Sequence, residues 1–367
     1  MQLRLEILGK EHESATRRFN ARLRAARAPV DFFFPETVSV VAAGFPLVSK
    51  RYYVVLEGDE VRGGAYLQDQ PMLVGGTVCN VRNIQSPLSE GIVNSKYSSV
   101  ALFMMKELER HNPFLYSIGM GSELNRYPRL LKALGWTVAT VPLFFRVRRA
   151  SQFIRNLQLL RRNSFRRLAS DVSAYSGLGP LMIYAYQAIN AKRAIPAASY
   201  DRVHRFDGWA DEIWDVARRE ISFSIEHTST VLNVLFPVKC ERLSRIRIIV
   251  DGVAVGWAAL LISNFHDHRH FGEMRVGTIV DGMAFPRYER HVVAAALRAL
   301  SEDSVDLVIS NQTHELWQNA FRGAGFFTAR STFLLGLSRK LSAEIPISSE
   351  LRRIHVNRAD GDGLSTL

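Results

Sequence analysis

One motif occurs twice in this chain, and that repetition limits the folds open to it. Val54–Leu67 reads VVLEGDEVRGGAYL and Ile248–Leu261 reads IIVDGVAVGWAALL. Both run from an apolar β-type stretch through an acid-Gly pair into a second β-type stretch, which is a strong hairpin signal. With one residue deleted, Glu57-Gly58 matches Asp251-Gly252, and Val61–Leu67 matches Val255–Leu260. Each copy is followed by the same closing pattern, a helical run ending in Gly-aromatic. Leu134-Gly135-Trp136 places its glycine 77 residues beyond Gly58, and Ala324-Gly325-Phe326 places its glycine 73 beyond Gly252. Two units of similar length with the same opening and ending predict a duplicated domain. The 367 residues are long enough for two cores.

In the first unit, alternation predicts a strand over Gln2–Leu8, and apolar positions Ala15, Phe19, Leu23 and Ala26 predict a helix over Glu13–Ala28. Strands Tyr52–Leu56, Gly64–Gln68 and Thr77–Gln85 follow, then a polar loop from Ser86 to Lys96. A helix over Tyr97–Arg110, a strand over Phe114–Met120, a helix over Asn125–Leu134 and a last strand over Val138–Val147 complete it. The second unit repeats the order. It has a helix at Gly208–Arg219, the hairpin at Ile246–Ser263 and strands at Arg275–Asp281, Val305–Ser310 and Thr332–Leu337. Helices at Tyr288–Leu300 and His314–Ala324 separate those strands. This mixture of hairpins and strand-helix-strand steps predicts an α/β (α+β) fold, two mixed-sheet domains in tandem. The expected boundaries are residues 1–147 and 200–342, a basic helical linker over 148–199, and a tail over 343–367. The tail, His355–Leu367, reads as exposed or only locally ordered.

The net charge is +12, and its location matters more than its size. Leu124–Ser170 contains eleven Lys and Arg and no acid. Within it, Arg148–Arg167 reads as a basic amphipathic helix, open to three readings: a solvated face, a dock for acidic acyl carrier protein or anionic lipid, or a hold on RNA. Sparse aromatic interleaving makes nucleic acid the least favoured. Cys79 and Cys240 fall one in each half without metal-type spacing, which suits a reducing compartment. No stretch reaches the roughly 18–20 apolar residues that span a bilayer. The expectation is a soluble, cytoplasmic protein, with peripheral contact at the inner membrane face open through Arg148–Arg167.

Each unit resembles the GNAT superfamily of acyl-coenzyme A-dependent N-acyltransferases. The resemblance rests on the hairpin, the strand and helix after it, and the closing Leu134-Gly135-Trp136 and Ala324-Gly325-Phe326. It covers roughly residues 2–147 and 200–340. The tandem arrangement is similar to double-GNAT and Fem-type transferases, which act on cell-wall or polysaccharide precursors. Arg205-Phe-Asp, Trp209, Trp214, Glu226, Leu232-Asn233, Phe236-Pro237 and Arg358-Ala-Asp-Gly-Asp-Gly resemble an exopolysaccharide-associated branch.

The resemblance implies an acyl-CoA or acyl-carrier-protein donor, an amine acceptor such as an amino sugar, and no metal. It places the donor on a bulged strand and the helix N-terminus after it, which implies contacts from Ile84, Gln85, Ser86, Asn94, Lys96, Tyr97, Ser98, Ser99 and Asn125. The family's glycines are missing from Asn94–Ser99, so Ser hydroxyls and Lys96 would have to serve the diphosphate. In the second unit, Pro286 removes a donor and Glu289 opposes an anion, which favours the first unit. The family's usual tyrosine position is Leu131 in the first unit and Phe321 in the second. Tyr127, one turn earlier, is the candidate proton donor, and Glu123 the candidate base. Asp281, Asp360 and Asp362 are candidates for binding acceptor hydroxyls. The run Phe265–His270 reads as a solvated hairpin rather than a metal site. Non-catalytic binding and an aminoacyl-tRNA-dependent Fem-type reaction are the rival readings.

Overall fold

The computed structural model describes residues 2–30, 32–37, 48–157, 174, 177–191, 198–268 and 270–361. In chain order the elements used below begin with β1 (Leu3–Ile7), α1 (Glu13–Ala25), β2 (Ser49–Glu57), β3 (Glu60–Val74) and β4 (Thr77–Ser89). Then come α2 (Ser99–His111), β5 (Leu115–Ile118), α3 (Arg126–Ala133), β6 (Thr137–Thr140) and β7 (Leu143–Val147). Next are α4 (Ala150–Asn156), α5 (Leu178–Asn190), β8 (Ser199–Arg202), α6 (Gly208–Ala217), β9 (Phe223–Ile225) and α7 (Ser229–Leu235). The order ends with β10 (Leu243–Val250), β11 (Val253–His268), β12 (Gly272–Ala284), α8 (Glu289–Glu302), β13 (Leu307–Asn311), α9 (Glu315–Gly323), β14 (Phe327–Ala329) and β15 (Leu334–Leu337).

The chain forms two compact units, one from residues 1–140 and 334–347, the other from 141–333 and 348–367. The first sheet runs β1-β2-β3-β4-β5-β15-β6 and the second β14-β7-β13-β12-β11-β10-β8. The β4–β5 and β12–β13 pairs are parallel and their neighbours antiparallel, so both sheets are mixed. The last strand of each half is exchanged. β15 lies between β5 and β6, and β7 lies between β13 and β14. The single strand expected over Val138–Val147 is therefore two strands in two sheets. Pro142, which has no amide hydrogen and a fixed φ, stands between them. The expected boundary at 147 falls inside this exchange.

Both hairpins turn on two residues, Gly58-Asp59 and Asp251-Gly252, the second with positive φ at both. Both carry the same bulge. Val55 pairs Gly63 and Leu56 pairs Val61; Ile248 pairs Gly256 and Ile249 pairs Ala254. The repeats therefore correspond residue for residue, and the deletion expected from sequence is not needed. Gly63 and Gly256 are required at the matching place. A Cβ on Gly63 would stand 2.7 Å from the Leu88 carbonyl, and one on Gly256 would stand 2.8 Å from that of Met283.

In the first unit α1 covers one face of the sheet, burying Phe19 and Leu23 on Val54, Leu56 and Val61. The other face packs Val55, Leu67 and Ile84 against Val100, Met104 and Leu108 of α2 and Leu131 of α3. In the second unit α8 and α9 bury Val292, Ala296, Ala320 and Phe321 on Ile248, Leu260 and Val308. The tail from His355, expected to be exposed or only locally ordered, is instead buried at His355–Asn357 and Ala359–Gly361. Ile354, Val356 and Ala359 are buried, because the tail enters the second sheet's own cleft.

Candidate active site

Two strands run parallel in each sheet and then separate. β4 pairs β5 only at Arg82–Leu115 and Asn83–Tyr116, and β12 pairs β13 only from Val276–Leu307 to Thr278–Ile309. A one-residue bulge lies just beyond. Leu67 pairs Ile84 and Gly64 pairs Leu88; Leu260 pairs Ile279 and Trp257 pairs Met283. Ser86, in the first bulge, has φ 45°. The bulge turns the strand away from its neighbour, leaving backbone groups without a ladder partner. At both mouths a serine pins the last contact: Ser117 Oγ donates to the Ile84 carbonyl at 3.0 Å, and Ser310 Oγ to that of Ile279 at 2.9 Å.

In the first unit the gap opens into a cleft of 510 Å³ between α2 and α3. Leu88, Ile92, Ala101, Leu102, Met105 and Leu130 give it apolar walls, while Ser89, Ser95, Ser98 and Arg126 add polar groups. Of the residues expected to hold a donor, Ser98 lines this cleft, as does Tyr127. Ile84, Gln85 and Ser86 form the edge of the splayed strand. Gln85 accepts a hydrogen bond from the buried Tyr66 hydroxyl. Asn94 instead caps the short turn after it, accepting from the Lys96 amide at 3.1 Å, and the Lys96 ammonium lies over the Tyr97 ring. Tyr97 is buried, with Arg62 against its face. Ser99 opens α2 and Asn125 precedes α3, and neither lines the cleft. Arg126 does line it, and sequence reasoning passed over it. It lies in the acid-free stretch after Leu124, the signal that could have found it.

Tyr127 and Glu123 differ in position. The Tyr127 hydroxyl donates to Ser117 Oγ at 3.3 Å, and burial raises its pKa, so it keeps its proton across the physiological range. Glu123 is exposed, held by Lys132 at 2.7 Å and Thr140 at 3.5 Å, outside the cleft lining. The hydrogen bond from Lys132, and then its charge, lower the Glu123 pKa, which weakens it as a base.

In the second unit the matching gap is filled. Asn357 forms a backbone bridge with Gln312, just past β13, while its amide donates to Asp281 on β12. The tail thus spans the two splayed strands. Trp317 stands at the position matching Tyr127, and its ring meets His355 edge to face at 5.8 Å. Asp281 sits inside. Oδ2 accepts from His227 Nε2 at 2.9 Å, and Oδ1 from the Gly282 amide at 2.7 Å, Asn357 and His355 Nε2 at 3.4 Å. Asp281 and Asp360, expected to meet an acceptor, are 2% and 1% exposed in this network. Asp362 lies outside the described residues. The pattern that could have revealed the network is two histidines far apart in sequence, and only the fold brings them together.

One ligand atom from each of His227, Asp281 and His355 lies within 4.8 Å of the others, a spacing a divalent ion can bridge. The hydrogen bonds argue otherwise. Gln312 Oε1 accepts from the His314 amide at 2.9 Å, which turns its NH₂ toward His355 Nδ1 at 3.4 Å. His355 then carries its proton on Nε2, facing Asp281, with no lone pair for an ion there. Burial lowers the His355 pKa and keeps the ring neutral. Burial alone would raise the Asp281 pKa, but the two imidazoles outweigh it and hold it below the ordinary range. Asp360 is pushed the other way, up to about 7, by burial and then by the Asp281 charge.

Two mixed sheets, each split beyond a bulge, with one split open beside a helix terminus, define the α/β class to which this chain belongs. The solved structures similar to it include N-acyltransferases and a tandem GNAT protein. A probable N-acyltransferase of unknown function from Enterococcus faecalis V583 has TM-score 0.50 at 12% identity, over 94% of this chain and 74% of that one. Saccharomyces cerevisiae N-myristoyltransferase with bound myristoyl-CoA has TM-score 0.50 at 9% identity, over 92% and 78%. A tandem GNAT protein from the clavulanic acid biosynthesis pathway has TM-score 0.43 at 12% identity, over 92% and 99%. No family's sequence profile matches the chain, and no curated protein matches it in sequence.

Proposed function

We propose that the first unit binds an acyl-CoA, or another thioester on a phosphopantetheine arm, and transfers its acyl group to an amine. The observation that carries this reading is the asymmetry of the two gaps: the first is an open cleft, and the second is filled by the tail. The apolar walls from Leu88 to Leu130 suit the pantetheine arm and an aliphatic acyl chain. Arg126, Ser95 and Ser98 supply charge and hydroxyls for the diphosphate. The backbone amides of Ser86 and Leu88, on either side of Pro87, which has no amide hydrogen, would polarise the thioester carbonyl at the bulge. The amine would attack the thioester carbon directly, its positioning by the cleft supplying the rate. As the C–S bond breaks, Tyr127 would pass its proton to the leaving thiolate and regain one from the attacking nitrogen, leaving amide and free thiol. An amino sugar or another cell-surface precursor is the first acceptor to assay.

The experiment is thermal unfolding with acetyl-, octanoyl- and palmitoyl-CoA, on the native chain and on Ala101→Trp, which fills the cleft. Stabilisation of about 3 kcal/mol is expected at a hundredfold excess over Kd, and none in the variant. A native chain that ignores every thioester overturns the proposal. Binding without thiol release for any amine would favour the non-catalytic reading, which Glu123's pairing with Lys132 supports.

A further inference from the structure

Helix α5 is turned inside out for a surface helix. Leu178, Leu181, Met182 and Ile189 are 64%, 64%, 73% and 82% exposed, and with exposed Ala185 they form one stripe at helical spacing. Two polar groups, the Gln187 amide and the Tyr184 hydroxyl, reach back to the protein. Gln187 is buried, accepting from the Val147 amide at 2.8 Å and donating to the Val147 carbonyl at 3.1 Å. The Tyr184 hydroxyl accepts from the Ala150 amide and donates to the Arg148 carbonyl, both at 3.0 Å. These bonds clamp the helix onto β7 and α4 with its apolar stripe outward, and the helix carries no charged residue.

A second observation lies at its C-terminal end. Ala191 lines a cavity of 580 Å³ together with Arg146, Arg148 and Arg298. Arg146 Nε is buried with no hydrogen-bond partner. Arg298 is committed to the Ala198 carbonyl. Glu302 is the one acid in the lining, against three guanidinium groups. Residues 148–193 contain nine Lys and Arg and a single acid, Asp171. A cationic recess beside an apolar helix matches the two layers of a phospholipid surface, phosphate above and acyl chain below. A second copy of the chain fits less well, because a two-fold interface would bring two such recesses together. No helix among the described residues is long and apolar enough to cross a membrane.

We propose that this face docks the protein on an anionic phospholipid surface, with a lipid phosphate at Arg146 and Arg148 and the Leu178–Ile189 stripe among the acyl chains. The site is independent of the acyl-donor cleft. The test is co-sedimentation of the full chain with phosphatidylcholine vesicles, with and without phosphatidylglycerol, beside inorganic phosphate as a soluble competitor. The native chain should pellet with the anionic vesicles and remain in solution with neutral ones. Arg148→Gln should weaken binding roughly fivefold, and Leu181→Glu with Met182→Glu should abolish it, with native circular dichroism in both. Equal or absent partition to the two vesicle types overturns the proposal, as does unchanged binding by the double variant. Three other results also overturn it: full displacement by inorganic phosphate, a native dimer that the double variant dissolves, and capture by an acidic carrier protein in place of vesicles.

Discussion

The hydroxyl of Ser117 donates to the carbonyl of Ile84 at the point where β4 leaves β5, and Ser310 does the same to Ile279 in the second unit. Each bond ties the final contact of a parallel pair before a bulge separates the strands. The repetition makes the splay a built feature of both units, whether or not the gap beyond is open. What distinguishes the units is the next group along. Ser117 also receives the Tyr127 hydroxyl at 3.3 Å, whereas Trp317 stands at the matching place in the second unit.

Replacing either serine by alanine removes a buried hydrogen bond and strands a carbonyl. Each change should cost about 1 kcal/mol in urea unfolding. The two should differ in ligand binding. Ser117→Ala also frees Tyr127 and loosens the cleft edge, so its affinity for an acyl-CoA should fall, while Ser310→Ala should bind as the native chain does. Calorimetric titration of both variants distinguishes them.

Tyr127→Phe tests the chemistry. If the hydroxyl protonates the departing thiolate, kcat should fall about 100-fold with little change in the thioester KM. Glu123→Gln should stay within roughly twofold of the native rate, because its carboxylate is exposed and already paired with Lys132. Thiol release followed with a chromogenic disulfide measures both.

Local chemistry made the hairpins readable, since acid-Gly turns and alternation act over a few residues. The strand exchange was not readable. Leu143–Val147 and Leu334–Leu337 have the same apolar character in either sheet, and only Pro142 marks the break. The lining of the open cleft was partly readable. Ser98, Tyr127 and the Ile84–Ser86 edge follow from position after the bulged strand, while Arg126 has no motif around it. The plug was unreadable for another reason. Arg358-Ala-Asp-Gly-Asp-Gly looks like a solvated tail, and the burial of His355, Asn357 and Asp360 beside it depends on His227 and Asp281, distant in sequence, supplying partners.

The plug should respond to pH through Asp360. Its folded pKa, about 7, lies above the ordinary carboxylate value, so the folded state holds the proton more tightly than the unfolded chain. That contribution is complete below about pH 4 and is lost as pH rises through 7, at up to roughly 1.4 kcal/mol per pH unit. Asp281 has the opposite sign, with stability lost only when acid titrates it below its ordinary range. Between pH 6 and 8 the native chain should therefore lose thermal stability. Asp360→Asn should flatten the slope and gain stability at pH 8.

His355→Ala separates the two units' duties. The imidazole supplies a proton to Asp281, and its ring meets those of Trp317 and His227. Its loss leaves both a cavity and a carboxylate with one donor fewer. Together these should cost about 3 kcal/mol. Because the network lies wholly in the second unit, the damage should appear as faster proteolysis and hydrogen exchange over residues 351–361. The first unit's cleft contains none of these residues, so acyl-CoA affinity should stay native in the folded fraction. Should the variant instead lose thioester binding while the tail remains protected, the donor would be bound in the second unit and the assignment of the open cleft would fail.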